Sequence, residues 1–498
     1  MKKRFWLIGA LAFVLASGTQ AQDATAIKYA STITASELET HLRYIASEEL
    51  KGRDTGAEGQ KMAATYIKEH FQKYGLKGPV NGDYYQVFEL VSNSYPEVQL
   101  QVDKSKLQAN KDFIFVGDAD MKKSQKADVV FVGDGSKESL AKVNVKGKLA
   151  AVWAIGGRTQ NVVRDVMEAG AIGAIITTME DQAAFDRLAS RYASMGSSGG
   201  RLGFERPTQQ EPAFMVSATQ MAKMFNVSLD DLKAATSNPN IVKPVSSSFQ
   251  VKKQKRIVST ENVLGYLEGT DKKEEVLVIS AHYDHVAPNA DGSVNYGADD
   301  NGSGTVALME IAEAFGMAAK DGIRPSRSVL FVALTAEEKG LLGSQYYVEN
   351  PIFPLENTVN NLNIDMLGRI DNIYKDKEDT DYLYAIGSAM LSSHLKIILD
   401  YNNITYTNLN LDYRYDDPND PNRFYFRSDH YNFAKYNIPS IFFFSGLHND
   451  YHTPADTVDK IEFPLMTTRA KLIFHLAWDL VNRAERNPVD GSNNRGER

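Results

Sequence analysis

The chain has 498 residues, 43% hydrophobic and 24% charged, with a net charge of −8 and no cysteine. That length exceeds one ordinary core and predicts roughly two or three domains. The acidic balance gives nucleic acid or an anionic membrane no electrostatic reason to bind. The lack of thiols excludes disulfides, thiolate metal ligands, a cysteine nucleophile and a lipid anchor on cysteine, so any metal must be held by His, Asp and Glu, which suit zinc, manganese or cobalt.

In chain order, 1–21 reads as a secretory signal. Lys2, Lys3 and Arg4 precede a short apolar run from Phe5 to Ala16, and Thr19-Gln20-Ala21 resembles a cleavage site. The run is short for a membrane span. The expectation is an exported chain, periplasmic or extracellular, without stable membrane insertion. Next, 57–74 places Ala64, Ile67, Phe71 and Tyr74 at helical spacing with Gly75 at the end, and 88–102 turns to strand alternation. A separate unit is expected over 106–250, where strands at 129–132, 147–152 and 171–176 surround a helix at 161–169. It carries no histidine. Its stretches "VKGKLAAVWAIGG" and "EAGAIGAIITT" resemble the protease-associated (PA) domain, a β-rich α+β module of lid or substrate-gating type. From Asn262 to about Ala484 apolar strands at 276–279, 329–334, 382–386 and 441–444 alternate with helices near 305–315, 341–349, 389–401 and 467–484. That pattern predicts an α/β fold with a mixed, largely parallel sheet flanked by helices. The boundaries are therefore 1–21 signal, 22–105 first part of the main domain, 106–250 insert, 251–485 main domain and 486–498 a frayed tail.

Acids and histidines fall at the C-terminal ends of those strands, where open α/β sheets place ligands. "HYDH" follows 276–279. Extended backbone puts His282 and Asp284 on one face, with the acid placed to fix the tautomer of a ligating imidazole; His285 is expected to point away. "GADDNGSG" sets Asp299 and Asp300 in a glycine-rich loop before a helix, where ordinary caps use the same residues. "TAEEKGLLGS" ends 329–334, and adjacent Glu337 and Glu338 at a buried strand end repel one another unless cations neutralise them. "NIDMLG" buries Asp365 in an apolar stretch, which is costly without a partner or metal. "YHTPADT" puts His452 in the loop after 441–444. Two histidines and three carboxylates supply each of two divalent ions with one histidine and one acid, with one acid shared, and a hydroxide brings the site close to neutral.

These five clusters, in this order, resemble the M28 family of co-catalytic zinc peptidases. The resemblance covers 36–103 and 262–484 and carries with it a zinc-peptidase/phosphorylase-hydrolase-like fold. By position it implies His282, Asp300, Glu338, Asp365 and His452 as ligands of two Zn2+ (or Mn2+ or Co2+). It selects Asp300 over Asp299 as the bridge, with a cis peptide after it. It implies Glu337 as general base and Asp284 as the acid behind His282. Tyr451 and Arg427 match positions that contact the reacting carbonyl or the product. The expected activity is an aminopeptidase that hydrolyses the N-terminal bond of peptides through a metal-bridged hydroxide. A carboxypeptidase or dipeptidase on the same two-metal site is the alternative.

Overall fold

The computed structural model describes residues 22–155, 159–197, 202–378, 380–417 and 419–491. The leader expected at 1–21 and the tail beyond 491 lie outside them. The chain divides into two compact units, Met1–Gln86 with Glu261–Arg498, and Val87–Thr260. The junctions differ from the expected 106 and 250. The long strands Tyr85–Val102 and Val245–Leu267 each run through a junction, so unbroken alternation hides both.

In the first unit the strand order is Asn410–Asp412, Tyr382–Ile386, Ser440–Phe444, Thr358–Ile364, Lys272–His282, Arg327–Leu334 and the 263–267 end of Val245–Leu267. From Ser440–Phe444 to Arg327–Leu334 neighbouring strands are parallel. The pairs flanking this block, Tyr382–Ile386 on one side and 263–267 on the other, are antiparallel. Strand periodicity divides the side chains between two faces. Leu277, Ile279, Ala281, Val329, Phe331 and Ala333 enter one core; Val276, Val278, Leu330, Val332 and Leu334 enter another. Both faces being covered, these strands read as continuous apolar runs.

Helices Ala35–Ile45, Glu58–Lys73, Gly304–Lys320 and Phe463–Asn482 cover the first face. Leu342–Glu349 and His430–Ala434 supply Tyr347, Val348 and Phe433 to the second. Gly304–Lys320 is buried nearly all round, as befits a helix enclosed by others. Each large apolar side chain so buried stabilises the unit by about 1.5–3 kcal/mol, which fixes the strand ends that carry the polar groups below.

In the second unit, strands Gln125–Phe131, Leu149–Trp153, Gly173–Thr177 and Ala213–Met215 are consecutive and parallel. Helices intervene between them in sequence. The short helix Lys137–Leu140 and the helices Thr159–Glu168 and Gln182–Ser197 act as crossovers between these four strands, and antiparallel pairs flank the block, Gln125–Phe131 with the 245–249 end of Val245–Leu267 and Ala213–Met215 with Ile114–Phe115. Val129, Phe131, Leu149, Ala151, Ile175 and Phe214 form its core.

Candidate metal centre

Four parallel strands each deliver a group at the C-terminal edge. His282 ends Lys272–His282, Asp365 follows Thr358–Ile364, Glu337 and Glu338 follow Arg327–Leu334, and His452 lies in the loop after Ser440–Phe444. Asp300 comes from the irregular turn Ala298–Ser303 that opens the Gly304–Lys320 helix, and the peptide bond after it is cis. Gly297 starts that turn at φ +56°, where a Cβ would lie 2.3 Å from Asp300 O and 2.5 Å from His285 Cδ2. The Asp456 carboxylate accepts the backbone N–H groups of Asp299 and Asp300 at 3.0–3.1 Å. Asn301 donates to Ile364 O and accepts from the Gly304 and Met366 N–H groups.

Ligand-type atoms gather in two groups that share Asp300: His282, Asp300 and Asp365, and His285, Asp300, Glu338 and His452. His282 Nε2 lies 3.5 Å from Asp300 Oδ1 and 3.4 Å from Asp365 Oδ1. His452 Nε2 lies 2.9 Å from Asp300 Oδ2 and 3.0 Å from Glu338 Oε1. A tetrahedral ion with N and O ligands at about 2.0–2.2 Å has ligand–ligand edges of about 3.3–3.6 Å; the two separations at His282 match such an ion, while the two at His452 are about 0.3–0.4 Å shorter. Moreover, His282 Nε2 is buried without a hydrogen-bond partner, an arrangement that calls for a specific explanation. The residues fit a pair of divalent cations. Asp299, by contrast, faces away: its Oδ1 accepts from Ser303 and from the Gly368 N–H, and its Oδ2 lies 3.3 Å from His448.

The charges agree. Burial pushes the Glu337 carboxyl well up; His282 opposes this, and Glu338 and Asp365 add repulsion. Asp284 is pushed up to about 6, chiefly by burial. Burial would lower the His282 imidazole, but Asp365, Glu337 and Asp300 outweigh it and raise it. His452 is raised to about 10, burial opposing and Asp300 and Glu338 prevailing. Carboxylates crowded to mutual repulsion are neutralised by divalent charge.

His282 Nδ1 bonds the backbone carbonyl of Asp284 at 3.1 Å, while the Asp284 carboxylate stands 3.8 Å off. That carboxylate accepts the Glu337 N–H at 3.1 Å and the Thr55 hydroxyl at 2.8 Å. Ser428 Oγ donates to Asp365 Oδ2 at 2.6 Å, which leaves Oδ1 toward His282. Tyr451 stacks on His452, ring centroids 3.9 Å apart. Arg427 lies over the Phe424 ring. Both line a cavity of about 30 Å3 with Asp300, Glu337, Asp365, Met366, Phe442 and Phe444. A larger groove of about 630 Å3 runs along Ile397, Ile398 and Tyr401 beside 483–487; among the described residues it holds neither group.

His285 departs from expectation. It is buried, with Nδ1 3.0 Å from Glu338 Oε1 and 3.6 Å from Asp300 Oδ2. The strand ends at His282, so alternation no longer governs where residue 285 points, and a bridge to Asp54 turns it inward. Thr55, Ser428 and Asp456 were also missed. Ser428 and Asp456 had adjacency to singled-out residues as their only sequence signal, and Thr55 had none.

Residues 262–477 match the model of peptidase family M28. Over 216 residues the chain is 31% identical to the "Probable leucine aminopeptidase" of Arthroderma otae, covering 42% of this chain and 55% of that protein. It is 24% identical over 279 residues to the "Glutamate carboxypeptidase 2 homolog" of Caenorhabditis elegans, covering 45% and 35%. The chain thus spans about half the length, or less, of these curated relatives. The solved aminopeptidase from Aneurinibacillus sp. strain AM-1 aligns over 94% of this chain and 98% of its own, at 18% identity and a TM-score of 0.55; that likeness concerns the fold. Among the described residues no helix is long and apolar enough to cross a membrane.

Proposed function

We propose that the chain is an exported metallo-aminopeptidase that hydrolyses the N-terminal bond of peptides with two zinc ions. The observation that carries this reading is the sharing of Asp300 between two ligand groups at one edge of the sheet. His282 and Asp365 would hold one ion, His452 and Glu338 the other, and Asp300 both. His285 braces Glu338 from behind. Bound zinc would supply Lewis acidity to the scissile carbonyl and to water.

The chain's own groups do the rest. Glu337 lines the cavity beside Asp300 and Asp365, and burial raises its carboxyl, which suits a general base. It takes a proton from the attacking water and returns it to the leaving amine. The Tyr451 hydroxyl steadies the reacting carbonyl, and Arg427 stands at the rim to meet the substrate. Met366, Phe442 and Phe444 give the first side chain an apolar seat. The Val87–Thr260 unit serves as a PA-like gating module.

A carboxypeptidase or dipeptidase outcome is the second reading, favoured by Arg427, a cation at the cavity rim suited to a substrate carboxylate. The test is turnover of free-amine aminoacyl anilides against N-acetylated peptides. Cleavage of the free-amine series alone is expected; cleavage of N-blocked peptides from the C-terminus would replace the first reading with the second.

A further inference from the structure

The tripeptide Arg53-Asp54-Thr55 lies outside the 262–477 segment, yet it reaches three of the loops that build the metal centre. Arg53 is fully buried. Its Nε donates to Tyr283 O at 2.9 Å, its Nη1 to Ile45 O at 2.6 Å and Tyr296 O at 2.8 Å, and its Nη2 to Gly297 O at 3.0 Å. Tyr283 lies between His282 and Asp284, and Gly297 opens the turn that carries Asp300. Thr55 Oγ1 donates to Asp284, whose other oxygen accepts the Glu337 N–H. Asp54 pairs with Lys339, next to Glu338, at 2.5 Å.

The seat of this turn is tight. Gly52 has φ +77°, and a Cβ there would lie 2.4 Å from Val286 O and 2.7 Å from Asn295 O. Arg53 itself sits at φ +57°, a region that costs a side-chain-bearing residue about 1–3 kcal/mol and persists only where surroundings over-determine it. Among the described residues Arg53 makes no ion pair with a carboxylate. Four carbonyl dipoles instead satisfy a guanidinium whose planar fork suits divergent acceptors, as a lysine ammonium does not.

We propose that Arg53-Asp54-Thr55 is a positioning clamp of the metal centre. Arg53 fixes the backbone between His282 and Asp284 and ahead of Asp300, and Thr55 orients Asp284 behind Glu337. The inference rests on the metallopeptidase reading above.

The test measures Zn2+ affinity of the full chain by competition with a chromophoric chelator, beside thermal unfolding and anilide turnover. Arg53→Gln is expected to bind Zn2+ about 10- to 100-fold more weakly, the usual size of an effect on residues that orient metal ligands, with Arg53→Lys between it and the wild type. Leu472→Ala, a core truncation on the Phe463–Asn482 helix, should lower the unfolding temperature without weakening Zn2+ binding. A folded Arg53→Gln protein with wild-type Zn2+ affinity overturns the clamp, as does an equal loss in Leu472→Ala. If Arg53→Gln does not fold, Thr55→Val decides: weaker Zn2+ binding supports the clamp and unchanged binding overturns it. A wild-type chain that binds Zn2+ but cleaves no peptide refutes the proposed function and leaves the clamp readable from the affinities.

Discussion

At the residue scale, two acids next to each other in sequence carry different expectations. Glu338 Oε1 lies within 3.0 Å of both His285 and His452, whereas Glu337 approaches His282 only at 4.0 Å and lines the cavity. Glu337→Gln should therefore keep both zinc ions and lower kcat by about 100- to 10,000-fold, the span ascribed to general acid–base catalysis; metal analysis beside steady-state kinetics checks it. Asp300→Ala should lose zinc from both positions at once, because both groups draw on that carboxylate, and retention of one full equivalent would contradict the sharing. His282, Asp300, Glu338, Asp365 and His452, which fall within the two groups, were singled out in sequence by their places after strands together with the family resemblance, which alone chose Asp300 over Asp299. His285, Arg53 and Thr55 were not. Their roles depend on where the chain turns after a strand or on contacts between residues some 230 positions apart.

At the element scale, the decisive piece is the turn Ala298–Ser303. Its sequence resembles an ordinary helix cap, yet it holds Asp300 by hydrogen bonds from its backbone to Asp456 and by a positive φ at Gly297. Gly297→Ala should cost most of the zinc affinity and about 1–3 kcal/mol of stability, since the new methyl meets both a backbone oxygen and an imidazole. A zinc titration alongside chemical denaturation reads both. The strand Thr358–Ile364 was the element least visible beforehand. Asn360, Asn361 and Asn363 break the apolar run that marks its neighbours. In place they are buried, and Asn361 and Asn363 bond Ser280 and Ser428.

Across the whole molecule, stability has a pH signature away from the metal centre. Glu310 is buried between the helices of the first unit, both oxygens lacking a hydrogen-bond partner, with His41 Nε2 3.4 Å away. Burial, aided by Glu313 and Glu37, pushes its carboxyl up to about 9. The folded chain keeps a proton that the unfolded chain releases above about pH 4.5. The resulting stability is fully present below that pH and is lost as pH rises through about 9. Glu310→Gln should match the wild type in unfolding temperature near pH 4.5 and gain on it steadily toward pH 9. Parallel curves for the two proteins would reject the assignment. The α/β class was readable from strand and helix alternation, whereas the unit junctions were not, because strands cross them without a break.

The first unit is assembled from two stretches of chain with Val87–Thr260 between them. A polypeptide leaving the ribosome thus presents the Arg53 turn early and His452 late. No nascent fragment ending before residue 452 would own the full set of candidate metal ligands, so the centre can close only when synthesis is nearly finished.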